Sequence, residues 1–327
     1  MRTVLSYLAY SLAILALAFP VSGIVLPTPV LADDIDTLHE KLLYPVVRVR
    51  TNRAGGSGTV IYSEDRDEKG TFRTYVLTNH HVVDDAISVT QKWDNLTQKY
   101  VTEEVNTLVD VELFSWHKGK IIDRRVVQAA VVAHSAPDDI ALLELRSDGD
   151  AYPLKVDNVA KLATKEEADT LRVFQPIYAV GCSLGHDPIH SAGDITDLGD
   201  LIRGKTYMMG SAEIIFGNSG GAVFSKINGE FRHIGMPSLV AATWGGAITH
   251  MNWFVPRVRI AEFLSLQKLD FFFDESKTPD ECFKARTNSR AKGAEEKADA
   301  FFDPIVLPED ASAECQELTP KEAVLDR

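Results

Sequence analysis

Three short stretches hold the side chains whose types could do chemistry together: His80 and His81 in "VLTNHHVVDDA", Asp138 and Asp139 in "PDDIALLEL", and Ser219 in "FGNSGGAVF". A serine hydroxyl becomes a nucleophile only when a base takes its proton, a carboxylate holds that base, and backbone amides receive the charge left on the attacked oxygen. A serine alone in a glycine-rich turn supplies none of these. Here a histidine pair follows one strand-like run and an aspartate pair precedes another, in the chain order His, Asp, Ser. Adjacent side chains on an extended segment point to opposite sides, so His80 and His81 do not both face the serine. Residue chemistry leaves open which histidine is the base, while Asp139, standing directly before the apolar run, is the better placed of the two acids.

The segments that must position these groups read as strands. Val46–Arg50, Ser57–Tyr62, Tyr75–Thr78, Ala86–Val89, Val126–Val132 and Ile140–Leu145 are rich in β-branched residues, and further runs follow at 177–180, 205–215, 221–224, 231–242 and 252–255. Short strands at such spacing, with little helical periodicity, predict an all-β sandwich or barrel, or two barrels. A short helix is expected between Leu162 and Leu171, and a clear one only after Pro256, where Val258, Ile260, Phe263 and Leu264 make one apolar face. Residues 91–134 form a long intervening segment of mixed charge holding Trp93 and Trp116, to which the sequence assigns no role.

The ends differ from the middle. After Arg2, the apolar block Val4–Phe19 is followed by prolines and by Ala32 before Asp33 and Asp34. That is the pattern of a secretory signal over residues 1–32, an uncleaved anchor being the alternative. The block is short for a span of roughly 20 residues. Residues 267–327 alternate charge, carry helix starts at Thr278-Pro279 and Thr319-Pro320, and read as a partly ordered charged tail. A net charge of −13 without a basic run excludes a nucleic-acid groove. Of the three cysteines, Cys282 and Cys315 could pair, leaving Cys182 as an odd thiol on a core strand. No CxxC or HExxH spacing is present, and His186 and His190 are interrupted by Pro188, so neither metal nor cofactor is expected.

Taken together, "GGSGTVIYS", "VLTNHHVV", "DDIALLEL" and "GNSGGAVF" resemble the trypsin-like serine proteases, and are most similar to their HtrA/Deg branch. The resemblance extends through "TYMMGSAEIIF", "HIGMPSLV" and "NWFVPRVRIAEFL", covering roughly residues 40–266. It implies two six-stranded antiparallel barrels, a C-terminal helix and an active cleft between the barrels. It selects His81 as base and Asp139 as its orienting acid, with Ser219 as nucleophile and the amides of Gly217 and Ser219 as the oxyanion hole. It also places Ile214, Ile215 and Phe216, with Met236, Pro237 and Ser238, around an apolar specificity pocket that takes an aliphatic residue before the cut. Protein or peptide substrates outside the cytoplasm follow, periplasmic or secreted, with membrane contact only through an uncleaved N-terminus. HtrA proteins usually carry a PDZ domain after the protease, and residues 267–327 are too few for one.

Two other readings share some of these residues. Gly217-Asn218-Ser219-Gly220-Gly221 also fits the nucleophile elbow of α/β-hydrolases, but that fold requires a helix after the serine and the order Ser, Asp, His. His233 and His250, downstream of Ser219, fall in or near strand patterns and read as packing or surface residues. A catalytically silent protein-binding scaffold of the same fold is the remaining alternative, against which the complete set of three residues argues.

Overall fold

In the computed structural model the described residues are 35–65, 72–95, 98–146, 155–243 and 246–299. The apolar start at 1–32, the partner proposed for Cys282 at Cys315, and the helix start at Thr319 lie outside them.

Two closed barrels of six strands account for the strand-rich middle. The first joins β1 (Val46–Arg50), β2 (Gly55–Asp65), β3 (Phe72–Thr78), β6 (Val109–His117), β7 (Lys120–Ser135) and β8 (Ile140–Leu145) in the order β1-β2-β3-β8-β7-β6. Between β3 and β6 the chain makes a short helix, α2 (His80–Val83), after the N-terminal turn α1 (Ile35–Leu38), and then a separate hairpin of β4 (Ile87–Asp94) and β5 (Lys99–Asn106). The second barrel joins β9 (Pro176–Gly181), β10 (Ile189–Ile202), β11 (Lys205–Gly210), β12 (Ala222–Ile227), β13 (Glu230–Thr243) and β14 (Gly246–Pro256) in the order β10-β11-β14-β13-β12-β9. Every neighbouring pair in both barrels is antiparallel, as the resemblance implies.

Side-chain alternation explains why some strands are apolar throughout. In β8, Ala141, Leu143 and Leu145 point into the first barrel, whereas Ile140 and Leu142 join a second cluster that also holds Met236, Trp253, Val255, Ile260 and Leu264. The same alternation puts Val76 of β3 inside and Tyr75 and Leu77 outside. Such strands are buried on both faces, and their outer faces form the contact between the barrels. Each fully buried leucine or isoleucine there contributes about 2 kcal/mol of burial energy.

The local sequence sets the tight turns. Lys118-Gly119, Arg203-Gly204 and Asn228-Gly229 all have positive φ at both residues, the conformation of two-residue hairpins whose twist matches that of the strands. Leu162–Leu171 contains the expected short helix, α3 (Lys165–Asp169), closed by a capping box between Thr164 and Glu167.

Three expectations change. The run 205–215 ends as a strand at Gly210, and the chain then packs closely on β10: a Cβ on Gly193 would lie 2.2 Å from Ala212 N. The segment 91–134 supplies parts of four strands; its charged alternation hid β5, which with β4 is exposed along most of its length. The helix after Pro256 forms as α4 (Arg257–Leu266), but Val258 is not on its apolar face. Arg257, Ile260, Ala261 and Leu264 make the buried stripe at helical spacing, and Val258 falls opposite it.

Part of the expected tail is firmly packed. Thr278 and Glu281 exchange capping bonds at the start of α5 (Pro279–Asp299). Phe271 and Phe272 meet Tyr62 edge-on at 5.1 and 5.7 Å between centroids, Arg73 lies 4.0 Å over the Phe283 ring, and Arg286 donates to Val132 O at 2.9 Å. The chain leaves the second barrel through α4 and returns to the wall of the first.

Candidate active site

The first barrel brings His81 and Asp139 together from the ends of two neighbouring strands. Thr78 closes β3, Asn79 is extended, and α2 starts at His80 with Val82 and Val83 buried beneath it. Asp139 stands just before β8 with φ of +54°, a left-handed conformation that aspartate tolerates better than most residues. Its amide donates to Ala136 O at 3.2 Å, and Asn79 Nδ2 donates to its carbonyl at 2.8 Å.

His81 Nδ1 lies 2.9 and 3.0 Å from the two carboxylate oxygens of Asp139, and the His81 amide donates to the same carboxylate at 3.1 Å. From the second barrel, the Ser238 hydroxyl donates to Asp139 Oδ2 at 2.7 Å. An ionised carboxylate only accepts hydrogen bonds, so the neutral ring facing it carries its proton on Nδ1, and Nε2 is the basic nitrogen.

The neighbouring residues do something else. His80 stacks on His134 with centroids 5.2 Å apart, and burial, followed by the nearby His134, lowers its pKa. Asp138 accepts from Lys205 Nζ at 2.6 Å and from Ser135 Oγ at 2.8 Å; although burial opposes ionisation, these bonds hold its carboxyl below the usual range. Arg259 NH2 also donates to the Asp138 carbonyl at 2.7 Å, so Asp138 ties the first barrel to β11 and α4.

Ser219 belongs to the loop between β11 and β12. Two glycines there have no substitute. Gly217 has φ of +94°, and a Cβ on it would lie 2.5 Å from Cys182 O. Gly220 has φ of +83°, and a Cβ on it would lie 2.2 Å from both Ser57 O and Thr78 Oγ1. The backbone after Ser219 therefore packs directly on the segment that leads into His81. On its other side, Gly220 N donates to Pro237 O at 3.2 Å, one residue before the serine bonded to Asp139.

The turn after β9 sets the direction of the loop's peptides. Leu184 N donates to Phe216 O at 2.7 Å, and Ser183 Oγ donates to Asn218 Oδ1 at 2.6 Å. In a trans peptide the carbonyl and the amide point opposite ways. With the Phe216 carbonyl drawn toward Leu184, the Gly217 N–H points to the other side of the chain. Among the described residues, neither Gly217 N–H nor Ser219 N–H donates to another protein group.

The residues expected around a specificity pocket separate into groups. Ile214 is buried in the core of the second barrel, and Met236 has no exposed surface within the cluster between the barrels. Both side chains are buried among apolar neighbours. Pro237 contributes its carbonyl to the loop, and Ser238 contributes its hydroxyl to Asp139. Ile215 is half-buried and Phe216 is 50% exposed. An open cleft of about 710 Å³ runs past His80, His81 and Asp139 to Tyr207 and Leu239, with Arg203 and Lys205 on its lining.

Sequence reasoning missed Asn79 and Ser57 and gave Ser238 a different place. Ser57 was visible only within the motif "GGSGTVIYS", with no role of its own. His233 is fully buried with neither ring nitrogen hydrogen-bonded among the described residues, and burial pushes its pKa down to about 4. Cys182 is buried against Val47, and burial pushes its thiol up to about 12. No group of three metal-ligating side chains is found among the described residues, and no helix among them is long and apolar enough to cross a membrane.

The trypsin-like peptidase domain profile matches residues 56–236. The periplasmic serine endoprotease DegP of Escherichia coli (strain K12) is 28% identical over 197 residues, 59% of this chain and 31% of that protein. The probable periplasmic serine endoprotease DegP-like protein of Buchnera aphidicola subsp. Schizaphis graminum is 24% identical over 217 residues, 65% of this chain and 33% of that one. The chain thus spans about a third of the length of the curated relatives it matches. Among solved structures, the HtrA-type protease AlgW with tripeptide is similar in fold, with a TM-score of 0.51 at 19% identity over 73% of this chain and 64% of that one.

Proposed function

Because the chain belongs to the trypsin-like peptidase domain family, we propose that it is a serine endopeptidase working through Ser219, His81 and Asp139. Ser219 Oγ attacks the peptide carbonyl while His81 Nε2 takes its proton. The same nitrogen then protonates the leaving amine, and water clears the acyl-enzyme by the reverse use of the same groups. Asp139 holds the imidazole in the tautomer with Nε2 free to accept, and stabilises the imidazolium that forms. The amides of Gly217 and Ser219 receive the oxyanion. The observation that carries this reading is the His81 Nδ1 contact with both oxygens of Asp139, at 2.9 and 3.0 Å. The packing of Gly220 on the residues before His81 supports it.

Substrates are proteins or peptides, and the two relatives called periplasmic support action outside the cytoplasm. The proposed organisation is a signal or anchor over 1–32, the peptidase domain over 40–266, and an appended segment over 267–327 that begins by packing on the first barrel. Ile215 and Phe216 are the apolar residues nearest the nucleophile that reach a surface, and they favour an aliphatic residue before the cut. Incubation of the full chain with unfolded casein, beside Ser219→Ala, tests the reading. Turnover by the parent alone is expected. Equal inertness, with a protein partner bound by both, would replace it with the scaffold reading.

A further inference from the structure

Ser57 has no exposed surface, yet its polar atoms reach out of its own strand. Its hydroxyl donates to Gly217 O at 2.6 Å and accepts from Cys182 N–H at 2.7 Å. Its amide donates to Ser219 O at 2.8 Å, and its carbonyl accepts from Thr78 Oγ1 at 2.7 Å. Resting on the peptidase reading above, we propose that Ser57 is the positioning residue for the two oxyanion donors: a first-barrel side chain that fixes the orientation of the second barrel's nucleophile loop.

The two donor amides lie in the peptide groups 216–217 and 218–219. Ser57 holds the peptide between them through the Gly217 carbonyl, and the peptide after them through the Ser219 carbonyl. Of the donor peptides themselves, 216–217 is held by Leu184 N–H, on a turn anchored to Ser57 through Cys182 N–H, while 218–219 is held within the loop, its carbonyl accepting from Gly221 N–H at 2.9 Å. Three of the four consecutive peptides between residues 216 and 220 therefore depend on one residue, directly or through one link. The constraint is needed because Gly217 has no Cβ to restrict it, and glycine crosses between backbone basins that other residues avoid. Without the hydroxyl, the part-buried Gly217 carbonyl and the buried Cys182 amide lose a partner, and rotation of the glycine peptides is the cheapest way to find another. Such rotation moves the donors off the position where charge develops, and donors act only when they are set there in advance. Thr78, next to the segment entering α2, ties Ser57 in turn to the strand that carries the base.

The test compares Ser57→Ala and Ser57→Thr with the parent chain on three readouts: kcat and KM for a peptide substrate, affinity for a peptide aldehyde, and affinity for the matching non-covalent peptide. The aldehyde adds to Ser219 as a hemiacetal whose oxygen needs the two amides; the plain peptide does not. Ser57→Ala is expected to lower kcat about 10- to 100-fold, somewhat less than deletion of a donor. Aldehyde affinity should fall by a similar factor, with KM and plain-peptide affinity changed less than about threefold. Ser57→Thr, which keeps the hydroxyl, should recover most of the loss. If Ser57→Ala does not fold, Thr78→Val loosens Ser57 without deleting it, and should give the same selective pattern at several-fold size. Parent values of kcat and aldehyde affinity in the variant that folds, or an equal loss of aldehyde and plain-peptide binding, would overturn the proposal. A parent chain inert to substrate and aldehyde alike would instead remove the peptidase reading on which it stands.

Discussion

The two barrels share an architecture but hold their parts of the site by different means. In the first, His81 and Asp139 are joined through their side chains, and Asp139 also receives the His81 amide and, from the second barrel, the Ser238 hydroxyl, while Asn79 holds its backbone. In the second, Ser219 sits in a loop held almost wholly through its main chain, by Ser57, Leu184 and Pro237. A side-chain pair is specified by two residue types. A main-chain arrangement is specified by glycines that permit it and by partners elsewhere that choose it. Substitutions in the first barrel should therefore act on proton transfer, and those around the loop on how charge is received.

The largest expected effect breaks the first arrangement. Asp139→Asn keeps the shape but offers His81 a group able to donate, favouring the wrong tautomer, and a loss of about 10⁴-fold in kcat is expected by analogy with the same change in a well-studied triad. Steady-state kinetics at neutral pH checks it, with little change in melting temperature. By contrast, Asp138→Asn, one residue away, removes the charge that Lys205 meets at 2.6 Å. It should cost about 1 kcal/mol of stability, seen in a denaturant midpoint, and leave kcat within a few-fold.

Between these in size lies a test of the second barrel. His233 has a pKa pushed down to about 4 by complete burial, against 6.5 unperturbed. As pH falls below 6.5 the unfolded chain takes up a proton that the folded chain refuses until about 4, so stability present above 6.5 is lost across that window. The loss from this residue is about 3 kcal/mol. Denaturant midpoints from pH 7 to 4 should fall, and His233→Leu should flatten the curve. The smallest effect is expected from His80→Ala. It removes a stacked ring but no partner of Asp139, and should change kcat less than about tenfold.

The difference between the barrels also explains what the sequence made legible. Apolar runs marked strands buried on both faces, such as Ile140–Leu145. Strands with a charged, solvated face, such as Lys99–Asn106, carried too little signal. The family resemblance singles out His81 and Asp139 at strand ends, and their side chains meet at 2.9 Å, because a side-chain pair leaves its residue types in the sequence. It does not single out Ser57, since its role lies in which backbone groups surround it, and a serine in "GGSGTV" looks like any other. The residues expected around a specificity pocket differ in burial for a related reason. Ile214, in the loop after β11, and Met236, in β13, are apolar, and both are buried in cores.

The convergence of Ser219, His81 and Asp139 is tested most directly by reaction with a fluorophosphonate and mapping of the labelled peptide in the parent, His80→Ala and His81→Ala chains. The label is expected on Ser219 alone, at near-parent rate in His80→Ala and slowed by orders of magnitude in His81→Ala. Labelling that survives the loss of His81 unchanged, or that falls on a different residue, would contradict the account.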